Sequence, residues 1–260
     1  MNPDNHAIKE LDIFSSDGKT IFTATTLIIR EVALTVKISG KAIAAIACSG
    51  NHLEELAAGF LKSERLITTQ KDIEKIEVDN KKCWANIILR NEKDPSGSFV
   101  KNIASSGARS RNIDPTSFQP LSVPDSFIIS SQLALKLMDD LLEKSILHNK
   151  THGTHCSALA KGGKIIALRE DIGRHNTIDM LGGYALLNQI DLSDAIILTT
   201  GRISSEIVYK VWNLGIPLII SHSAPTTKAI ELLNKAAITL IGYVRAGKMN
   251  IYSHGRRIKI

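Results

Sequence analysis

Three short apolar runs near the C-terminal end constrain the fold of this 260-residue chain more than any other feature. Residues 195–199, 216–220 and 238–241 are short runs made up almost entirely of apolar residues, which is typical of strands buried on both faces of a sheet. Helical patterns separate the runs, over residues 204–214 and 225–236. This alternation predicts parallel strands joined by right-handed crossovers, and therefore an α/β fold.

The ends of these two predicted helices carry residues with special backbone properties. Gly215 follows the first helix, at the position where a left-handed residue ends many helices. Pro225 is expected in the first turn of the second helix, because its missing N–H would have no partner there.

A hairpin and a helix are predicted before the first of the three strands. Residues 156–160 and 164–169 flank two glycines that can take positive φ in a tight turn, and a helical pattern follows over residues 176–187. The order of hairpin, helix and strand resembles the cytidine deaminase fold. A further helix is predicted over residues 130–148.

The first half of the chain is predicted to be rich in strands. Residues 25–38 and 42–48 read as one hairpin, and residues 73–78 and 84–89 read as a second pair of strands.

A helix is predicted between the two strand pairs, because apolar residues recur there at helical spacing and form a stripe. We expect Asn51 to cap this helix and Glu54 to complete a capping box. The apolar stripe is expected to pack against the first hairpin.

Residues 91–125 are predicted to be a linker or mobile loop, because Pro, Ser, Asn and Gly dominate the segment. The loop divides the chain into two predicted parts. A smaller β-rich N-terminal lobe covers residues 1–125, with one helix and the loop, and a cytidine deaminase-like α/β domain covers residues 126–260. The chain as a whole is therefore expected to be α+β.

Charge, cysteine content and hydropathy narrow the classes of partner. A net charge of +6 suits an anionic partner, and few aromatics and no long basic run favour a phosphorylated small molecule over nucleic acid. Three widely separated cysteines argue against a disulfide framework and suit a reducing compartment. No apolar run approaches the roughly 20 residues of a membrane span, and no secretion signal is apparent, so we expect a cytoplasmic protein without membrane contact.

Polar turns follow four predicted strands, at residues 169–176, 200–204, 221–226 and 243–248. Ligands of open α/β sheets gather where such turns lead into helix N-termini, which favour anions. Arginine's planar fork and the close backbone of glycine suit phosphate oxygens, while a carboxylate can accept hydrogen bonds from a base or ribose. The turns therefore predict a nucleotide-like ligand. The residues expected to contact it are Glu170 or Asp171, Arg174, Gly201, Arg202, Ser204, Ser223, Thr226, Arg245, Gly247 and Lys248.

A zinc enzyme is the alternative that the deaminase-like order raises. Such a site needs a His or Cys beside a Glu at one helix start and Pro-Cys-x-x-Cys at the next. Here Asn176 follows His175, and the next helix begins without cysteine, so we expect no zinc and no other metal. Residues 152–156, His-Gly-Thr-His-Cys, could be a metal or nucleophile cluster, but alternate residues of a strand point to opposite faces and need not converge.

Several segments together resemble one family, the formate dehydrogenase accessory sulfurtransferases or FdhD family. They occur in the family's order along most of the chain. The matching segments are residues 48–61, 153–155, 169–176 with Asp179, 201–202, 223–226 and 242–245.

This resemblance implies a function as well as a fold. Members carry sulfur from a cysteine desulfurase to the molybdenum bis-molybdopterin guanine dinucleotide cofactor before it enters formate dehydrogenase, commonly as homodimers. By position, the family's cofactor-binding segment falls on residues 243–248. The full expected cofactor-binding set adds His175, Ala224, Tyr243, Val244 and Ala246 to the residues already given.

The chain departs from the family in the loop that carries the sulfur. The family has Cys-x-x-Cys after a Ser-Ser pair, and here Gly107 and Ser110 stand where the two cysteines would be. Neither residue can accept and release sulfane sulfur, because a persulfide relay needs a thiolate. No catalytic residue is therefore predicted in the loop, and enzyme activity as a sulfurtransferase stays open.

Three interpretations follow from this departure. The protein binds the cofactor as a chaperone without transferring sulfur, or it transfers sulfur through Cys48 or Cys156, or it is a diverged or engineered copy that has lost the step. A basic nucleic-acid-binding module is the alternative from another functional class.

Overall fold

The structure is a computed structural model that describes residues 7–91, 101–103, 116 and 118–260. In its first half, two strands form a separate antiparallel hairpin, and five strands form a sheet with one helix. Their bounds are β1 (Ile8–Ser16), β2 (Ile21–Ile29), β3 (Val32–Ile38), β4 (Lys41–Cys48), α1 (Leu53–Ser63), β5 (Ile73–Asp79), β6 (Trp84–Leu89) and β7 (Lys101–Ile103).

The second half contains a six-stranded sheet, five helices and two short paired strands. The bounds are β8 (Ile129–Ser130), α2 (Ser131–Lys144), α3 (Ile146–Thr151), β9 (His155–Lys161), β10 (Lys164–Asp171), α4 (Arg174–Leu187), β11 (Ile196–Thr199), α5 (Ser205–Leu214), β12 (Leu218–Ser221), α6 (Thr227–Lys235), β13 (Thr239–Arg245), β14 (Lys248–Ser253) and β15 (Ile258–Lys259).

The six-stranded sheet has the order β10-β9-β11-β12-β13-β14. Strands β11, β12 and β13 are parallel, as their apolar runs predict, and β9 is antiparallel to both β10 and β11. Consequently β10 runs in the same direction as the three parallel strands. The expected α/β class is confirmed, and the carboxyl ends of four strands lie at one edge, here called the carboxyl edge.

Helices cover both faces of this sheet. Helix α2 packs on one face, where Leu137 and Leu141 are buried with alternate residues of β9 and β11. Helices α4, α5 and α6 cover the other face, where Ile178 and Val211 are among the buried side chains. Every residue of β11 and β12 is buried as a result.

Helix α4 lies between the two halves of the chain and contributes to both cores. Its Ile178 and Leu181 join the core of the six-stranded sheet, whereas Met180 and Leu186 join the core of α1 and the five-stranded sheet. Eleven of its fourteen residues are buried. The predicted division into lobes at residues 125 and 126 stays a prediction, and α4 shows that the two cores share a helix.

Two glycines let α1 and α4 pack closely. A Cβ atom built on Gly59 would lie 1.7 Å from the carbonyl oxygen of Asp179, and one built on Gly183 would lie 1.9 Å from that of Glu55. No side chain fits at these distances, so the crossing requires glycine on each helix. The apolar stripe of α1 therefore packs against α4 as well as against the predicted hairpin.

The predicted start of α1 is wrong. The helix begins at Leu53 after His52, which has φ 50°, and no side chain caps its N-terminus; the expected cap from Asn51 and capping box with Glu54 are absent at this described helix end. The backbone before this helix is instead fixed by Asp171, which accepts hydrogen bonds from both the nitrogen and the hydroxyl of Ser49.

The single strand predicted over residues 25–38 is two strands. The chain leaves β2 at Ile29 and enters β3 at Val32, since β2 pairs with β1 whereas β3 pairs with β4 and β6. The hairpin of β1 and β2 was not predicted. Asp17 is a sequence signal for the turn of this hairpin, because an Asp side chain often accepts hydrogen bonds from the backbone that follows it. Here Asp17 Oδ1 accepts from the nitrogens of Lys19 and Thr20.

Three predicted helix bounds also differ from the structure. The helix predicted over residues 130–148 breaks at Ser145 into α2 and α3, because Glu170 accepts hydrogen bonds from the nitrogens of Leu147 and His148 and fixes the start of α3. Helix α4 begins two residues before the predicted start. Pro225 does not lie in the first turn of α6, because Thr226 caps that helix and Pro225 forms a bridge with Ile203 instead.

Other predicted features are confirmed. The strands β5 and β6 pair as expected, Gly162 and Gly163 both have positive φ in the turn of the second hairpin, and Gly215 is left-handed after α5. Within the described part of the chain, no helix has the length and apolar character needed to cross a bilayer.

Candidate functional site

The four polar turns predicted to form a site are neighbours at the carboxyl edge. The second and third are hydrogen-bonded, from Thr226 N to Ile203 O at 3.0 Å and from Ser221 Oγ to Gly201 O at 3.0 Å. The third and fourth are joined from Tyr243 N to Ser223 O at 3.0 Å. The four turns therefore form one continuous row.

The first and second turns meet at Gly201. A Cβ atom on Gly201 would lie 3.0 Å from Cβ of Arg174, so a larger residue would push against the start of α4. From β10 to β13 the row crosses four strand spacings, or roughly 19 Å, because neighbouring strands lie about 4.8 Å apart. A row of this length suits an extended ligand better than a single phosphate ion.

Basic side chains are distributed along the row. Arg174 is half-buried, and its Nε atom is buried with no hydrogen-bond partner among the residues that the structure describes. Burial lowers the pKa of Arg174, and the nearby Arg202 lowers it further while Glu206 opposes the shift. An arginine held in this way gains from a ligand anion, which would supply the missing acceptor.

Three more cations lie on exposed parts of the row. Arg202 and Lys248 are exposed, and the guanidinium of Arg245 lies 3.9 Å from the ring centroid of Tyr243. Ala246 and Gly247 have positive φ in the tight turn between β13 and β14, and Tyr243 has positive φ within β13, where the pairing with β14 shifts register. The stacking on Tyr243 orients Arg245 above the edge.

The two carboxylates expected to contact a base or ribose are engaged within the protein. Asp171 is fully buried and accepts hydrogen bonds from Ser49, Gly173 N and Asn176 Nδ2. Glu170 accepts from the backbone of α3 and from the thiol of Cys156. Both carboxylates join backbone segments of the protein at the carboxyl edge, Glu170 with α3 and Asp171 with the segment before α1 and the start of α4. The remaining predicted residues are therefore the ones that would contact a ligand.

His175 also has a partner within the fold. The side chain is 2% exposed, and its Nε2 atom lies 3.1 Å from Oε2 of Glu206. This pair joins the start of α4 to the start of α5, beside Arg174.

The hydroxyl-bearing and small residues of the row differ in how far they are exposed to solvent. Thr226 Oγ1 accepts a hydrogen bond from Ala229 N as the cap of α6, and Ser204 Oγ is buried without a partner among the described residues. Ser223 is half-buried, Ala224 is exposed, and Val244 is packed into the core.

A cavity of about 400 Å³ opens beside the row, on the α3 side of the sheet. Four histidines line it, namely His148, His152, His155 and His222, and we call it the histidine cavity. The rings of His148 and His152 are 5.9 Å apart at their centroids and perpendicular.

Sequence reasoning missed this cavity. It set residues 152–156 aside because strand side chains alternate, but β9 begins only at His155, and the residues before it lie in a turn. His222 was part of a predicted turn, directly after an apolar run, and that position was a signal for an edge residue. His148 offered no such signal, since it was assigned to the last position of a long predicted helix.

Electrostatics relate the histidine cavity to the arginines. Burial lowers the pKa of His155, with Arg174 as the next cause, and burial lowers the pKa of His222, with Arg245 as the next cause. His148 contributes to both shifts. The cavity and the row therefore share one positive field.

The three cysteines differ in access to solvent. Cys48 and Cys156 are 0% exposed, and burial raises the pKa of each thiol to about 12. Cys83 is partly exposed in the turn before β6. The loop positions Gly107 and Ser110 lie outside the described residues.

Among the described residues, the four histidines of the cavity included, no group of three or more His, Cys, Asp and Glu side chains is arranged to hold an ion.

Comparisons with known proteins agree on one family. The model of the FdhD/NarQ family matches residues 29–259. A relative from Bacillus pumilus, named sulfur carrier protein FdhD, is 34% identical over 264 residues and covers 99% of both chains. A relative of the same name from Staphylococcus haemolyticus is 37% identical over 250 residues, which is 94% of this chain and 93% of the relative.

A solved structure shows the same fold. It is the crystal structure of a candidate formate dehydrogenase accessory protein from Desulfotalea psychrophila, with a TM-score of 0.79 and 20% identity, covering 97% of this chain and 100% of that one. The resemblance inferred from the motifs is thereby confirmed, and the chain belongs to the FdhD/NarQ family.

Proposed function

We propose that this chain is an accessory protein of formate dehydrogenase maturation that binds the molybdenum bis-molybdopterin guanine dinucleotide cofactor as cargo. Membership of the FdhD/NarQ family supports the role in maturation. The proposal includes a cytoplasmic homodimer whose partners are a cysteine desulfurase and formate dehydrogenase, as the family resemblance implies.

The continuous row at the carboxyl edge is the observation that carries cofactor binding. It places Arg174, Arg202, Arg245 and Lys248 along one edge, beside the start of helix α4. Guanidinium groups bind phosphate oxygens through paired N–H donors, and helix N-termini add unpaired backbone N–H groups. The guanine dinucleotide part of the cargo has the phosphates that such a row would bind.

The sulfur step is the part of the family's role that this chain cannot perform through the loop. Cys48 and Cys156 do not replace the missing cysteines, because buried thiols with a pKa of about 12 form almost no thiolate near neutral pH. We therefore propose cofactor binding without sulfur transfer through either buried cysteine.

A second candidate keeps sulfur carriage and assigns it to Cys83. The relatives are named sulfur carriers, and Cys83 is the only one of the three cysteines that is not buried. Its thiolate would attack the sulfane sulfur of a desulfurase persulfide, which forms a persulfide on Cys83 and releases the desulfurase thiolate.

Titration with GDP at two salt concentrations tests cofactor binding, with a single-stranded oligonucleotide as the competing ligand. We expect GDP to bind at both salt concentrations. Oligonucleotide binding that falls steeply with salt, together with no GDP binding, would identify a nucleic-acid-binding module instead, because counterion release drives contact with phosphate backbones.

Incubation with a cysteine desulfurase and cysteine, followed by intact mass, separates the two candidates. Cofactor binding alone predicts no added sulfur. An added sulfur atom that is lost in Cys83→Ser supports sulfur carriage through Cys83, and an adduct on Cys48 or Cys156 would contradict the conclusion drawn from their burial.

A further inference from the structure

The histidine cavity lies at the carboxyl edge, beside the row of turns that carries the arginines, and on the side of the sheet where α3 lies. Elements from distant parts of the chain form it, since His148 and His152 come from α3 and its cap, His155 begins β9, and His222 follows β12. Thr200, after β11, also lines the cavity.

The surroundings favour an anion over a cation in this cavity. After burial, the charge of Arg174 is the next cause that disfavours the charged form of His155, and the charge of Arg245 is the next cause that disfavours the charged form of His222. Glu170, a carboxylate beside α3, already accepts hydrogen bonds from two backbone nitrogens and from the Cys156 thiol. A ligand cation would therefore meet positive charge and an engaged carboxylate, whereas an anion would meet unsatisfied positive potential.

A hydrogen bond fixes the orientation of the His148 ring at the cavity wall. Its Nδ1 atom lies 2.7 Å from the carbonyl oxygen of Thr154. A carbonyl oxygen only accepts hydrogen bonds, so Nδ1 is the donor.

Burial and the arginines keep the edge histidines neutral near pH 7. Because the pKa of His155 and of His222 is lowered, each ring binds its proton only at a more acidic pH than an ordinary histidine. An anion between the rings and the arginines would offset the positive charge of the arginines and favour the imidazolium forms. Ligand binding and proton binding would then strengthen each other.

We propose that the histidine cavity holds a phosphate group of the guanine dinucleotide ligand and takes up protons as it does so, so that binding tightens as the pH falls. The inference rests on the proposed function, because it assigns to the same edge a subsite for one anionic part of that ligand. It adds a dependence of ligand binding on pH, which neither membership of the family nor the arginines at the carboxyl edge would imply.

Di(guanosine-5′) pyrophosphate is a suitable probe, because each of its phosphates has one ester bond and one anhydride bond, which leaves a single strongly acidic group that does not titrate near neutral pH. Titration calorimetry of the full chain at about pH 6 and about pH 8 should give a Kd at least about fivefold lower at the more acidic pH. Repeating the measurement in two buffers that differ in ionisation enthalpy counts the protons taken up on binding.

The test variant is the double substitution His155→Gln and His222→Gln. Glutamine keeps a polar side chain at both positions and does not titrate. We expect proton uptake to fall to less than half of the wild-type value. His222→Gln alone provides a second variant that leaves His155 in place.

His254→Gln is the matched control. His254 is also half-buried, and burial followed by Arg257 and Arg256 lowers its pKa, but it follows β14 at the opposite edge of the sheet. This control should keep the full pH dependence.

The possible results separate the inference from the proposed function. Equal Kd values at the two pH values in the wild type, or undiminished proton uptake in the double variant, would overturn the histidine subsite and leave guanine nucleotide binding in place. Failure of both the probe and GDP to bind at either pH would overturn the proposed function, and the subsite with it.

Discussion

The carboxylate of Asp171 holds Ser49 by two hydrogen bonds, at 2.8 Å from its backbone nitrogen and 2.9 Å from its hydroxyl. The other carboxylate oxygen accepts from Gly173 N and from Asn176 Nδ2. One buried side chain therefore links the end of β10, the start of α4 and the segment before α1. Burial raises the pKa of this carboxyl group, while the four donors favour its charged form.

Asp171→Asn should destabilise the fold strongly. Each of the four groups around Asp171 is a donor, so an amide nitrogen in place of one oxygen would face donors without an acceptor. We expect the free energy of unfolding to fall by about 2 to 4 kcal/mol in urea denaturation. Asp12→Asn is the control, because exposed Asp12 makes a single surface bond to Thr25 and should change stability by less than about 0.5 kcal/mol. Similar losses in the two variants would contradict the structural role of Asp171.

Gly183→Ala should disrupt the crossing of α1 and α4. The added Cβ would lie 1.9 Å from a backbone oxygen, so the helices must separate and the cores that α4 joins must repack. We expect a loss of at least about 3 kcal/mol, measured by urea denaturation.

The neighbouring substitution Gly182→Ala is the matched control. Its Cβ would meet only the flexible end of Leu214, at 2.9 Å, and alanine is the better helix former by up to about 1 kcal/mol. If Gly183→Ala proved as mild as Gly182→Ala, the close crossing would be incorrect.

Arg174→Ala and Arg245→Ala should each weaken guanine nucleotide binding. If each arginine makes a charge-assisted hydrogen bond to a phosphate, the loss is about 1.5 to 3 kcal/mol in a calorimetric titration. Arg256→Ala, which removes an exposed arginine after β14 at the other edge, should leave the Kd unchanged. Unaltered affinity in both edge variants would remove these arginines from the site.

Cys83 should be the cysteine that alkylates in the folded protein. Burial and raised pKa values protect Cys48 and Cys156, so iodoacetamide at neutral pH should add a single label by intact mass. Unfolding in urea should raise the number of labels to three, the number of cysteines in the chain. Cys83→Ser should abolish native labelling, and rapid labelling of that variant would show that a buried thiol is accessible.

The histidines at the carboxyl edge should make the stability depend on pH. The pKa of His155 is lower in the folded chain than in the unfolded chain, so below about pH 6.5 the unfolded chain binds more protons and stability falls as the pH falls. Asp171 acts in the opposite direction, because its pKa is raised.

The measurement is therefore a comparison between wild type and His155→Gln. Urea denaturation at about pH 7 and about pH 5 should show that the wild type loses more stability on acidification than the variant does. A larger loss in His155→Gln would have the wrong sign for a histidine held in its neutral form.

The parallel core was predictable because its cause is local. Strands such as β11 and β12 are buried on both faces, so they are apolar except at their last residues, Thr199 and Ser221, and the sequence shows these apolar runs directly. The left-handed Gly215 and the hairpin glycines were predictable for the same reason, since each turn conformation needs a particular residue type.

The starts of helices were less predictable because distant residues fix them. Glu170 determines where α3 begins, and Asp171 holds the backbone before α1 at Ser49. In the sequence both carboxylates read as ligand contacts, because a charged turn after a strand is compatible with either use. Likewise Gly59 and Gly183 permit the close crossing of α1 and α4, which depends on two helices that are far apart in the sequence.

The site was predictable as a set of turns and not as a set of atoms. The direction of the strands brings the four turns together, and this direction follows from the sequence pattern. Burial determines which side chains can contact a ligand: Asp171 and Val244 are buried, whereas Arg245 is exposed. His148 could not be assigned to this edge without the break that separates α2 from α3.

Because α4 supplies side chains to both cores, the two halves of the chain are not exchangeable modules. A fragment of residues 126–260 would expose Met180 and Leu186 to water, along with the bare backbone at Gly183 that α1 normally covers. Truncation at the predicted boundary should therefore yield an aggregating product, and transplanting either half onto a related protein would succeed only if its helix partner moved with it.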